Sequence, residues 1–171
     1  MTFVKWMTAA TTATTTLLVA GSAFALSCVR PSIEGSFQQW SDAPDRYYIV
    51  SGTLTPVAPL PPVPSVADAS RGPVDTADLR GVYQIRGEVV YAQQTVPIDH
   101  TIWVRVGCAG PWCGGFPGAG TSGIMALKQL PDLTLELYSG ACPGDIFSDP
   151  DGSVQARVQQ CLTTGCTIPT R

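Results

Sequence analysis

The sequence predicts a mainly β domain, a small antiparallel barrel or sandwich with a helix at each end. Three observations carry that reading. Several segments are rich in aromatic and β-branched residues and alternate with period two, helical periodicity appears only near the two ends, and six cysteines follow an export-like leader. The chain has 171 residues, 44% of them hydrophobic and 13% charged.

Near the start, Ile33, Phe37 and Trp40 fall at i, i+4 and i+7, one face of a short helix that Ser32 can cap and Pro44 stops. Arg46 to Thr55 (RYYIVSGTLT) has strand composition. Residues 56 to 79 contain Pro56, Pro59, Pro61, Pro62, Pro64 and Pro73, which cannot donate to a ladder, so this stretch reads as a surface loop inside the domain. Strands resume over Arg80 to Gln94 and Val96 to Val106, where Ile98, Ile102, Val104 and Val106 alternate with polar positions. Residues 107 to 123 hold seven of the 17 glycines and read as a long irregular loop tethered by Cys108 and Cys113. Two more strands are expected, Ile124 to Lys128 and Leu133 to Tyr138. In the second, Leu133, Leu135 and Leu137 face the core and Thr134 and Glu136 face away. Asp149-Pro150 then predicts a helix start with proline at the first position, and Val154, Val158, Cys161 and Leu162 carry the helix to about Thr163, with Gly165 beyond it.

Residues 1 to 25 read as a secretory signal, with Lys5 ahead of Leu17-Leu18-Val19-Ala20 and Ala23-Phe24-Ala25 as the cleavage signature. Interspersed threonines make the apolar part too short for a membrane span, so no transmembrane segment is expected. Cleavage after Ala25 leaves one domain, 26 to 171, with nine Lys and Arg against 13 Asp and Glu, a formal charge of −4. Dispersed basic residues on an acidic chain exclude a phosphate-tracking nucleic-acid binder. An even set of cysteines, Cys28, Cys108, Cys113, Cys142, Cys161 and Cys166, behind a secretory leader predicts three disulfides in a secreted or periplasmic protein. Ala25-Leu26-Ser27-Cys28 also resembles a lipobox loosely, which would instead make Cys28 a lipidated N-terminus.

No catalytic motif emerges. His100 is the single histidine, and the adjacent Asp99 points to the opposite strand face, so it cannot orient the ring for nucleophilic catalysis. Cys108-x4-Cys113 with Cys161-x4-Cys166 could form a tetrathiolate zinc site, although the spacing is loose and the compartment favours oxidation. Asp149-Pro150-Asp151-Gly152 offers two oxygens of a calcium loop and no closing Glu, which suits a turn and helix cap. Glu34, Glu88 and Glu136 and the aspartates show no spacing that selects a hydrolytic pair. No cofactor motif is present. Trp112 and Phe116, aromatic residues on a stapled loop, are the candidate contact residues, the alternative being that both rings cover the barrel end.

The order of Cys28, the helical Pro31 to Trp40, the strand Tyr47 to Leu54, Cys113-Gly114 before Gly123-Ile124-Met125-Ala126-Leu127, and Leu133 to Leu137 leading to Cys142 resembles the netrin-like modules. These are disulfide-bonded barrels that include the tissue inhibitors of metalloproteinases. The resemblance implies a small antiparallel OB-like barrel with a short N-terminal helix, a C-terminal helix and three disulfides, and an extracellular binding role toward a protein or envelope component. Inhibition of that family's kind needs a cysteine at the mature N-terminus, and Leu26-Ser27 precede Cys28 here. The expectation is a non-catalytic binding module, with a lipid-anchored envelope protein or a zinc- or carboxylate-dependent hydrolase as alternatives.

Overall fold

A computed structural model describes residues 28–29, 31–72, 79–142 and 144–166; the leader at 1–25 lies outside them. In chain order the elements are α1 (Ile33–Asp42), β1 (Tyr47–Pro56), α2 (Val66–Ala69), β2 (Arg80–Val90), β3 (Thr95–Val106), β4 (Cys108–Ala109), β5 (Trp112–Cys113), β6 (Thr121–Gln129), β7 (Leu135–Ser139), β8 (Ile146–Phe147) and α3 (Ser153–Thr164).

Five strands close into a barrel in the ring order β1-β2-β3-β7-β6, with β6 returning to β1. Four of these pairings are antiparallel, and β3 with β7 is parallel over Trp103–Val106. The parallel pair departs from an all-antiparallel expectation for a topological reason. The chain leaves β3, crosses to the far edge of β1 as β6, and turns back into the remaining gap running the same way as β3.

Val50, Leu54, Tyr83, Ile85, Ile102, Val104, Met125, Leu127 and Leu137 fill the barrel interior. A second core lies outside the wall, where Ile33, Trp40 and Val158 of the helices cover Ile49, Val90, Ile124 and Ala126. Covered on both faces, β6 is buried continuously from Gly123 to Leu127, so that stretch reads as an unbroken run and not as an alternation. Ser32 caps α1 by accepting from Gly35 N–H at 3.1 Å. Arg157 clasps α3 to α1, its Nε–H donating to Glu34 Oε1 at 2.6 Å and its Nη2 to Oε2. Burial acts to raise the Glu34 pKa, yet the Arg157 contact holds it below the ordinary value.

The α3 start differs from the expectation. The helix begins at Ser153, and Asp149 caps it from upstream, accepting from Val154 N–H at 2.8 Å and Gln155 N–H at 2.9 Å. Gly152, at φ 76°, makes the left-handed turn that lets the carboxylate fold back. Leu133 also departs from the pattern. It sits at φ 68° in the β6–β7 turn, 72% exposed, while Leu135 and Leu137 face inward.

Closure depends on a row of glycines. Gly52 of β1 pairs with Gly87 of β2 on one side and Gly123 of β6 on the other. A Cβ at Gly52 would lie 2.9 Å from Arg86 O, at Gly87 it would strike Ser51 O, and at Gly123 it would strike Phe147 O. The backbones meet where side chains would be, and the wall creases there.

The cysteines pair as Cys28–Cys142, Cys108–Cys113 and Cys161–Cys166. The first ties the chain ahead of α1 to the segment after β7, across 114 residues. The other two each close a span of five. No cysteine is free, so the tetrathiolate zinc alternative is set aside.

Two stability predictions follow from this arrangement. Cys142→Ser should lower the unfolding free energy by about 4–5 kcal/mol and Cys113→Ser by about 2, because the longer loop restrains the unfolded chain more; denaturant titration of oxidised protein measures both. Gly87→Ala should cost about 1–3 kcal/mol or more, through overpacking at the crease, whereas the same change at Gly72, where nothing among the described residues lies within 4 Å, should be close to neutral.

Candidate functional site

The helices cover the barrel on the β1 and β6 side, and the outer face of β2, β3 and β7 remains open. Registers place its side chains in rows. Arg86 lies opposite Asp99, Gln84 opposite Thr101, Val82 opposite Trp103 and then Glu136, and Arg80 opposite Arg105 and then Tyr138. From the first row to the last is six residues, about 20 Å at ~3.3 Å per residue.

The lower rows form a polar ladder. Thr101 Oγ1–H donates to Gln84 Oε1 at 3.1 Å, Gln84 Nε2 donates to Asp99, and Arg86 Nε–H donates to Asp99 Oδ2 at 3.2 Å. Shallow grooves of about 450 and 380 Å³ continue this surface onto β1 and β6, past Thr53, Thr55 and Ser122.

The upper rows gather charge and aromatic rings around one carboxylate. Glu136 is only 3% exposed. Its Oε1 accepts from Arg105 Nε–H at 2.9 Å, and Arg80 Nη2 stands 3.4 Å from Oε2, which takes no hydrogen bond among the described residues. Two guanidinium groups over a buried carboxylate satisfy its charge and fix their own positions. Arg105 also stacks on the Tyr138 ring, 4.7 Å from its centroid. Trp103 and Tyr138 remain 37% and 40% exposed, one row apart on adjacent strands. Arg80 is further drawn toward Asp132, whose pKa is lowered first by Thr134 hydrogen bonds and, more weakly, by Arg80. Among the described residues Arg105 donates to a protein oxygen only through Nε, which leaves its two terminal amino groups without a protein acceptor.

Beside Tyr138 lies a recess of about 90 Å³ formed with Ser139, Gly140, Gly144, Asp145 and Ile146. Burial pushes the Asp145 carboxyl up to about 6, against a hydrogen bond from the Gly140 backbone that acts to lower it.

Trp112 and Phe116 lie at the opposite end from the β2–β3 turn. Phe116 packs on the barrel core, and with Leu60 it crowds Gly81 above Tyr83. The surrounding loop is pinned by Tyr83 Oη–H to Pro117 O at 2.7 Å, Ser139 Oγ–H to Gly115 O at 2.7 Å, and Gly120 N–H to Leu54 O at 2.9 Å. Trp112 is half-buried in the Cys108–Cys113 hairpin, and neither ring is among the exposed large apolar side chains. His100 shares its strand side with Ile98 and Ile102 yet is exposed, since β7 pairs with β3 only from Trp103 onward. It borders a cleft of about 370 Å³ with Tyr48, Tyr91, Gln129 and Leu133. Asp99 engages Gln84 and Arg86 on the other face, so His100 receives no orienting carboxylate from it. Among the described residues no group of three or more His, Cys, Asp or Glu could hold a metal ion. Asp149, weighed above as a calcium ligand, is occupied by the α3 amide groups.

The fold and this surface define a disulfide-stapled, closed five-stranded β-barrel with a helix near each end and one open polar and aromatic face. No family model matches the chain, nor does any curated protein or solved structure.

The Asp145 environment makes stability depend on pH. With its folded pKa raised above the unfolded value, the carboxyl costs nothing when protonated at low pH. The penalty grows as pH rises from about 4 to 6 and is complete above that. Asp145→Asn should therefore raise Tm at pH ~7.5 by several degrees, about 2 kcal/mol after allowing for partial solvent screening, and change it little at pH ~3.5. Thermal melts of both proteins across that range check the sign.

Proposed function

We propose that the protein is an exported, non-catalytic binding module that receives an envelope ligand on the outer face of β2, β3 and β7. One observation carries this reading: Trp103 and Tyr138 hold half-exposed rings on adjacent strands around an arginine that a buried carboxylate fixes in place. Exposed rings on rigid strands provide contact area at little entropic cost, and OB-like barrels use this face for extended ligands.

Export is supported by the cysteines, all six paired, and by the leader-like residues 1 to 25. No helix among the described residues is long and apolar enough to cross a membrane. A lipid thioether on Cys28 would require the sulfur that pairs with Cys142. A binding role in place of hydrolysis is supported by Glu136, which lies buried beneath two arginines and out of a substrate's reach.

Co-sedimentation with purified, insoluble peptidoglycan and retention on immobilised envelope polysaccharide test the reading. Native protein should be retained by one of them, and Trp103→Ala with Tyr138→Ala should weaken retention about tenfold or more while Tm moves by only a few degrees. Retention that survives this double change but is lost on Trp112→Ala would transfer the site to the 108 to 118 loop. Release of soluble fragments from either polymer would overturn the non-catalytic reading.

A further inference from the structure

We propose that the ligand of this face is a saccharide bearing a carboxylate: a sugar ring rests on Trp103, the exposed edge of Tyr138 borders it, and the carboxylate is received by the terminal amino groups of Arg105. The inference rests on the binding-face reading above and adds the chemical class of the ligand.

Charge is shared unevenly across the face. Arg86 is paired with Asp99 at 3.2 Å, and Lys128 with Asp45 at 2.7 Å. Arg80 is divided between Glu136 and the more distant Asp132. Arg105 differs, because its single side-chain bond runs from Nε to Glu136 Oε1, and the outer edge of its guanidinium takes no acceptor among the described residues. That edge presents parallel N–H donors, the fork that matches a planar carboxylate. Stacking on Tyr138 at 4.7 Å and the bond to Glu136 hold the fork from two sides, so little side-chain entropy remains to be lost on binding.

The surroundings select the rest of the ligand. Trp103 lies two residues from Arg105 on the same strand face, about 7 Å away, with Tyr138 diagonal to it on β7. The Trp103 ring beside the carboxylate receptor suits the face of a pyranose, and Tyr138, whose face holds Arg105, presents its edge and hydroxyl. Below them the face is lined by neutral donors and acceptors, Gln84, Thr101 and Thr53, which suit hydroxyl groups. A nucleic acid would need a succession of unshared cations along this 20 Å face. The other basic side chains there already have acidic neighbours, and the chain as a whole is acidic, at −3.

The test uses the oxidised full-length mature protein and calorimetric titration with oligogalacturonate, its methyl ester, a sulfated oligosaccharide and a single-stranded oligonucleotide. Native protein should bind oligogalacturonate at least about tenfold more tightly than the ester, the worth of one charge-assisted hydrogen bond. Arg105→Lys, which keeps the charge and removes the fork, should lower that preference at least severalfold and weaken ester binding much less; Tm should fall by a few degrees because Glu136 Oε1 loses its donor, and an unchanged circular-dichroism spectrum separates lost recognition from lost fold. Trp103→Ala should weaken acid and ester alike. Equal binding of acid and ester, or tighter binding of the sulfated glycan or the oligonucleotide, would overturn the carboxylate assignment. So would retention on envelope polymer with no binding to either uronate probe. Loss of the Trp103 and Tyr138 rings without effect on envelope retention would instead bring down the binding-face reading itself, so the two failures are distinguishable.

Discussion

Everything in this molecule depends on β1 being paired along both edges, to β2 on one side and β6 on the other. With β1 paired on both sides and β7 bridging β3 and β6, the five-strand ring has no open edge, and at one row β1 and β2 approach where Cβ atoms would stand. Gly52 and Gly87 provide that room, and Gly123, in the same row on β6, lets the backbone of β8 approach from outside the ring. Once the wall is creased there, β7 must fill the gap between β3 and β6, which fixes the one parallel pairing and gives Leu135 and Leu137 their interior places.

Closure also divides the outer surface into two unlike halves. The half carried by β1 and β6 presents Ile49, Ile124 and Ala126 and is covered by α1 and α3, clasped by Glu34 and Arg157. The half carried by β2, β3 and β7 presents alternating polar side chains, with Trp103 37% exposed and Tyr138, stacked by Arg105 and lying against Gly107 and Gly140, 40% exposed. Side chains on that half are carried by strands whose inner residues are locked in the core, which holds them rigidly. The Cys28–Cys142 bridge ties the entry to α1 to the end of β7, coupling the two halves covalently.

Much of the fold was legible because each signal was local. Ser32 capping α1, the prolines interrupting 56 to 64, and the alternation of β3 are consequences of neighbouring residues acting on one another. The site was far less legible. Glu136 occupies a polar position in the period-two pattern of β7 and reads as solvent-facing, yet it is buried because Arg80 and Arg105 arrive from two other strands. Trp103 and Tyr138 gave no sequence signal of their own, since their separation along the chain conceals that they are diagonal neighbours. An arginine two residues after a tryptophan on one strand face was the single hint available. The glycine-rich surroundings of Trp112 and Phe116 suggest a free loop, whereas the loop is bonded to Tyr83, Ser139 and Leu54, partners that lie far away in sequence.

The sequence by itself determined the long strands and the two terminal helices, the even cysteine count and the acidic balance, because these follow from residue type and near-neighbour spacing. Tertiary structure decided the cysteine partners, the direction of β7, the burial of Glu136 and the exposure of His100. The physical reason is common to all four. Each depends on which strand lies beside which, and that is settled by barrel closure across tens of residues, beyond the reach of any local pattern.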